Sequence, residues 1–142
     1  MKIFEALRKD HDKQRALVKM ILDTQGDSPT RSKFFKQLKS ELNNHAVAEE
    51  RYFYAPLMQS DQTIDMSRHG VSEHHQIDKL IAELDETEMS SSAWLATFKK
   101  LADKIEHHLA EEEREFFQQA GKTLSEKEKT QLAEEYLAEM RA

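Results

Sequence analysis

Shifting the chain by 63 positions lays its first half on its second. His11 falls on His74, His45 on His108, Glu49 on Glu112, Glu50 on Glu113 and Arg51 on Arg114. Apolar residues follow at the same offset: Val18 with Ile81, Phe35 with Phe98, Leu38 with Leu101, Leu42 with Ile105, Phe53 with Phe116 and Tyr54 with Phe117. Asp10 falls on Glu73, so an acid precedes each first histidine. Two units of one plan can bury their apolar faces against each other about an approximate two-fold axis. The matched His and Glu would then meet near that axis.

The apolar spacing is helical throughout. Phe4, Leu7, Val18, Ile21 and Leu22 share one stripe over residues 3–25, with Gly26 as a stop. Ser28 and Pro29 read as an N-cap followed by proline at the first helical position. The helix they open carries Phe34, Phe35, Leu38, Leu42, Val47, Phe53 and Leu57, and Pro56 should kink or end it. Residues 59–70 are polar and hold Gly70, so they read as the longest connector, its later part open to being helical already. A third helix is expected over 71–86. A fourth should run from the Ser90–Ser92 cap region to about Ala120, ended by Gly121. Ser125 to Glu128 has capping-box spacing and opens a short fifth helix over about 123–141. The expected fold is all-α: one domain over 1–142, an up-down-up-down four-helix bundle over about 1–120 and a short C-terminal helix.

Composition narrows the function. The chain has no cysteine, which removes disulfides, thiolate metal sites, Fe–S clusters and a cysteine nucleophile. Its net charge is −6 and no Lys/Arg-rich cluster stands out, so a nucleic-acid partner is not expected. No run of 18 apolar residues is present and the N-terminus lacks a signal peptide's apolar core, so a cytoplasmic protein away from the membrane is expected.

Helical phase sorts the seven histidines. His11 lies four residues after Leu7. His45 lies three after Leu42, with Glu49 four further on. His74 lies three before Ile77. His108 lies three after Ile105, and Glu112 falls midway between His108 and Phe116. All six point inward, whereas His75 and His107 fall on solvated stripes. His69, beside Gly70, has no assignable place. An unpaired buried carboxylate costs several kcal/mol, on the order of the penalty for any isolated buried ion. Four imidazoles and two carboxylates at one level therefore call for a compensating positive centre. His-x-x-x-Glu puts both ligands on one helix face a turn apart, as in the di-metal sites of helix bundles. The nitrogen and oxygen donor set suits Fe, Mn or Zn, and a paired site suits two iron ions joined by an oxo or hydroxo bridge better than tetrahedral zinc.

Asp10-His11, His45-Ala-Val-Ala-Glu49-Glu50 running into Phe53-Tyr54-Ala55-Pro56, Glu73-His74, and His108-Leu-Ala-Glu-Glu112-Glu113 running into Phe116-Phe117 resemble the hemerythrin-like HHE cation-binding domain. The resemblance implies a bundle holding a non-haem di-iron centre with both Glu as bridges. By position it assigns His11, His45, Glu49, His74, His108 and Glu112 as metal ligands. It implies a protein that binds or responds to O2 or peroxide, or handles iron, as a monomer or homodimer. A ferroxidase- or peroxidase-type enzyme is the alternative. The O2-carrying members have a fifth histidine at i, i+4 on the third helix, where this chain has Gly70 and Asp78. That departure leaves a more open or more anionic site, with Glu50, Asp78 and Tyr54 as possible further oxygen ligands.

Overall fold

The computed structural model describes residues 1–142. It is entirely helical. Helix α1 spans Ile3–Leu22. Helix α2 (Pro29–Glu49) runs through a π-helical turn (Glu50–Tyr54) into α3 (Ala55–Leu57). Helix α4 spans Ile64–Asp85. Helix α5 (Ser92–Glu111) passes through a second π-helical turn (Glu112–Phe116) into α6 (Phe117–Thr123), and α7 spans Glu126–Arg141. Four rods form the bundle, and α7 lies along α1 and α2.

The caps expected from the serines form. Ser28 Oγ accepts from the Arg31 amide and Ser91 Oγ from the Trp94 amide, each at 3.2 Å. Ser125 and Glu128 close a reciprocal capping box. Pro56 cannot donate to the ladder; the helix widens into the π turn just ahead of it and stops at Leu57.

Two boundaries differ from the sequence reading. The third helix starts at Ile64 instead of Val71: the later part of the 59–70 connector is helical and forms its first two turns. Gly70 is buried inside it, and a Cβ there would overlap the Tyr54 ring. Its role is to admit that ring, not to break the chain. The fourth rod likewise passes Gly121 and ends at Thr123. Gly26, with φ of +59°, does occupy the left-handed conformation expected beyond α1.

The interior has two apolar ends and a polar middle. One end gathers Ile3, Leu7, Phe53, Leu57, Phe116 and Phe117 with Tyr136 of α7. The other gathers Ile21, Phe35, Leu38, Trp94, Phe98 and Leu101. There Trp94 stacks on Phe98 at 5.2 Å, and the Arg31 guanidinium lies 5.0 Å over the indole. Between these ends each of the four long helices contributes polar residues to one layer: Asp10, His11 and Gln14; His45 and Glu49; Glu73 and His74; His108 and Glu112, all buried.

Candidate metal centre

All six residues expected to point inward do so, with exposures of 6 % or less. They form two pairs of imidazoles spanned by two carboxylates. The His11 and His45 rings lie 5.2 Å apart, centroid to centroid, and the His74 and His108 rings 5.0 Å apart. Glu49 turns Oε2 toward His45 Nε2 (3.4 Å) and His11 Nε2 (3.8 Å), and Oε1 toward His74 Nε2 (3.0 Å). Glu112 mirrors it, with Oε1 2.9 Å from His11 Nε2 and Oε2 3.5 Å from His108 Nε2. Each carboxylate thus faces both imidazole pairs. His11, His45, Glu49 and Glu112 place one donor atom each within 4.8 Å of one another, as do Glu49, His74 and His108.

The donor atoms carry the test of fit. His11 Nε2, His45 Nε2, His108 Nε2, both Glu49 oxygens and Glu112 Oε1 are buried without a hydrogen-bond partner. A buried polar group without a partner costs free energy, on the order of 1–3 kcal/mol each. Six such atoms converging on one layer fit a pair of cations.

An outer ring of acids aims these rings. The Nδ1–H of His11 donates to Glu113 (2.8 Å), that of His74 to Glu50 (2.7 Å) and that of His108 to Glu73 (2.8 Å). His45 Nδ1–H donates to the Tyr136 hydroxyl (2.5 Å), which donates to Asp10. With Nδ1 engaged outside, every Nε2 lone pair faces inward, the arrangement metal-ligating imidazoles adopt. The ring obeys the duplication: Glu50 and Glu113 are mates, as are Asp10 and Glu73. Asp10 is one carbon shorter than Glu73, and Tyr136 fills the gap.

The electrostatics of the metal-free site show what a cation would replace. Burial works against charge on His74, but Glu49 and Glu50 prevail and raise it to about 10. Burial is likewise overridden at His11, which Glu112, Glu113 and Glu49 hold well above the ordinary range. Glu73 and Glu113 lie at about 2: burial opposes ionisation, but the former is held down by His108 and Lys104, the latter by His11 and Arg15. Burial also opposes ionisation of Glu49, yet His45 and its neighbours keep it an anion; burial and that anion push Glu112 up. Protons on the imidazoles stand where cations would.

Tyr54 is the residue the helical pattern placed least well. Its buried hydroxyl donates to Glu112 Oε2. Five residues at 3.6 per turn would carry it off the Glu49 face. The wider turn of Glu50–Tyr54 brings it back. Its mate Phe117 stacks near the His11 ring, 6.0 Å away, where a phenyl has no hydroxyl to offer. Leu7, mate of Gly70, packs in the same apolar end as Phe117. Glycine with tyrosine on one side therefore replaces leucine with phenylalanine on the other.

The remaining candidates fall outside the centre. His75, His107 and Asp78 are exposed. Glu50 holds His74 from outside. His69, which the sequence left unplaced, is half-exposed and pairs with Glu111 at 2.9 Å and Glu73 at 3.6 Å.

Comparison with known proteins follows the same lines. A crystal structure of a hemerythrin HHE cation-binding domain-containing protein of Mycobacterium kansasii, a homolog of Rv2633c, superposes with a TM-score of 0.87. The match covers 99 % of this chain and 86 % of that one at 23 % identity, which establishes the shared fold. A protein of Nostoc sp. named as a DNA nickase is 26 % identical over 138 residues; they are 97 % of this chain but 39 % of the relative, so this chain spans well under half of it. The family model for the hemerythrin HHE cation-binding domain matches residues 2–120, which include every residue of the two imidazole pairs and both spanning carboxylates, and the chain belongs to that family.

Proposed function

We propose that this cation-binding domain is a non-haem di-iron protein that binds or responds to O2 or peroxide, or handles iron. His11 and His45 would hold one ion and His74 and His108 the other, with Glu49 and Glu112, which face both pairs, shared between them. The observation that carries the reading is the convergence of six unpartnered buried donor atoms from three of the four long rods, with the buried His74 of the fourth facing them. An N/O donor set without sulfur favours iron, with manganese or zinc as the other occupants. When bound, the pair supplies Lewis acidity and, for iron or manganese, electrons to a small ligand.

The chain's own residues do the rest. The outer acids fix each imidazole's tautomer and aim, and they supply negative charge beyond the two bridging carboxylates. The apolar ends keep water from the layer. The Tyr54 hydroxyl donates a hydrogen bond to Glu112 Oε2, at the His74 and His108 side. That buried hydroxyl is the observation favouring a second reading, an enzyme turning over peroxide or Fe(II). DNA nicking is not carried over: the net charge of −6 opposes a polyanionic partner.

Iron-loaded protein decides between the readings. Two irons per chain with a stable absorption spectrum on adding O2 or peroxide, and no steady-state consumption, support binding. Sustained consumption supports the enzyme. Failure to take up any metal contradicts both.

A further inference from the structure

A further pair at the spacing of the centre's ligands lies outside it. His69 and Glu73 on α4 stand at i, i+4, as His45 with Glu49 and His108 with Glu112 do. Glu111, the last residue of α5, faces them. Its Oε1 lies 2.9 Å from His69 Nε2, and Glu73 Oε1 lies 3.6 Å from the same nitrogen. One donor atom from each of the three falls within 4.8 Å of the others. Glu111 Oε1 is buried, yet despite that 2.9 Å approach it has no hydrogen-bond partner. His11 Nε2 and Glu112 Oε1 show the same relation inside the centre, 2.9 Å apart and neither hydrogen-bonded. A nitrogen and an oxygen set side by side without a bond between them suit a common cation.

The duplication makes this cluster conspicuous. At the 63-residue offset Glu73 falls on Asp10, but His69 falls on Ala6 and Glu111 on Ala48. Both alanines are buried in the cluster that includes Ala133 and Tyr136 of α7. Helix α7 lies on α1 and α2, so the equivalent place on α4 and α5 stays open, with the His69 side chain 52 % exposed. An apolar seat for a helix on one side is thus an accessible set of one imidazole and two carboxylates on the other. Glu73 ties the set to the interior, since its Oε1 also accepts from His108 Nδ1–H at 2.8 Å. Lys104 lies 3.1 Å from Glu73 Oε2 and offsets one of the two negative charges.

We propose that His69, Glu73 and Glu111 form a separate cation site at the surface, which takes one divalent transition-metal ion with water completing its shell. One imidazole with carboxylates suits Mn(II), Fe(II) or Zn(II). With three protein ligands, access to water and Lys104 nearby, the site holds its ion more weakly than the buried centre and empties on desalting. The inference goes beyond the di-metal reading and does not depend on it.

Mn(II) is the probe. Iron-loaded protein is desalted and Mn(II) is titrated, the free ion being read from its electron paramagnetic resonance signal. The expected result is one further ion per chain. His69→Ala and Glu111→Gln should each keep the iron content and raise the Mn(II) Kd about tenfold or more, since losing even an outer partner costs about tenfold at a metal site. The His107 ring lies 3.9 Å from Glu111 Oε2 but outside the set, and His107→Ala should bind Mn(II) as the wild type does. Two irons per chain with no further Mn(II) bound, or with Mn(II) binding unchanged in both variants, overturn this proposal alone. A chain that takes up no iron yet binds one Mn(II), lost in both variants, supports it and contradicts the reading of the centre. Uptake of neither metal overturns both.

Discussion

The two imidazole pairs share one plan and differ in what surrounds them. Around His11 and His45 the chain places Leu7 and Phe117, and it bridges Asp10 to His45 through Tyr136 of α7. Around His74 and His108 it places Gly70 and Tyr54, and Glu73 reaches His108 directly while also accepting from Lys104 at 3.1 Å. The first side is closed by an added helix and keeps its hydroxyl, Tyr136, in the outer ring. The second sets its hydroxyl, Tyr54, on the spanning carboxylate Glu112 itself. Duplication supplied the ligands twice, and the inequality lies in residues one layer out.

The comparison breaks most completely at the shared ligands. Glu49→Ala and Glu112→Ala should each lose the metal pair, because each carboxylate serves both sides. Ligand at a thousandfold excess over Kd stabilises a fold by about 4 kcal/mol per site. For a chain of this size each kcal/mol is about 2–4 °C. Chelating the metal should therefore lower the wild-type melting temperature by ten degrees or more and leave Glu49→Ala almost unmoved. Calorimetry with and without chelator checks this.

Tyr136→Phe sharpens the comparison by striking the His11 and His45 side alone. It leaves His45 Nδ1 3.7 Å from Asp10 with nothing between them. Loss of an outer partner typically weakens metal affinity about 10–100-fold. The expected result is two unequal binding steps in a metal titration where the wild type shows closer ones. Gly70→Ala strikes the other side by forcing the Tyr54 ring back. It should cost about 1–3 kcal/mol, the usual penalty for overpacking. Pairing it with Tyr54→Phe does not relieve the overlap, since the ring remains, whereas Tyr54→Leu should; thermal melts of the single and double variants distinguish these.

A smaller effect concerns pH. In the metal-free chain His74 titrates near 10 against an ordinary 6.5. Its contribution to stability is complete below about pH 6.5 and is lost as pH rises toward 10. The metal-free protein should melt several degrees lower at pH 10 than at pH 7. Metal displaces the same protons, so affinity should rise over that interval and uptake should release protons. Smallest of all, His75→Ala and His107→Ala should leave metal content unchanged and stability within about 0.5 kcal/mol, as for most exposed positions.

What the sequence made legible is what obeys a period. The six inward residues lie on apolar stripes at α-helical spacing and repeat at one offset, so their positions could be read directly. Asp10 with Glu73 and Glu50 with Glu113 repeat at the same offset; their partnership with the imidazoles was visible as a pattern but not as a role. Tyr54 was obscured because a π-helical turn alters the phase just after Glu49. Tyr136 belongs to α7, which has no mate in the duplication, so no repeat pointed to it. Gly70 reads as part of a connector because glycine in a polar stretch resembles a loop, whereas its lack of a side chain serves the ring opposite.

The central claim is that six buried side chains from four helices hold two cations between them. Mössbauer spectroscopy of iron-loaded protein, with iron counted per chain, tests it most directly. The account predicts two irons per chain, magnetically coupled, in two environments made unequal by Tyr54 and Tyr136. One isolated iron, or none, in a chain as stable as the loaded protein would contradict it.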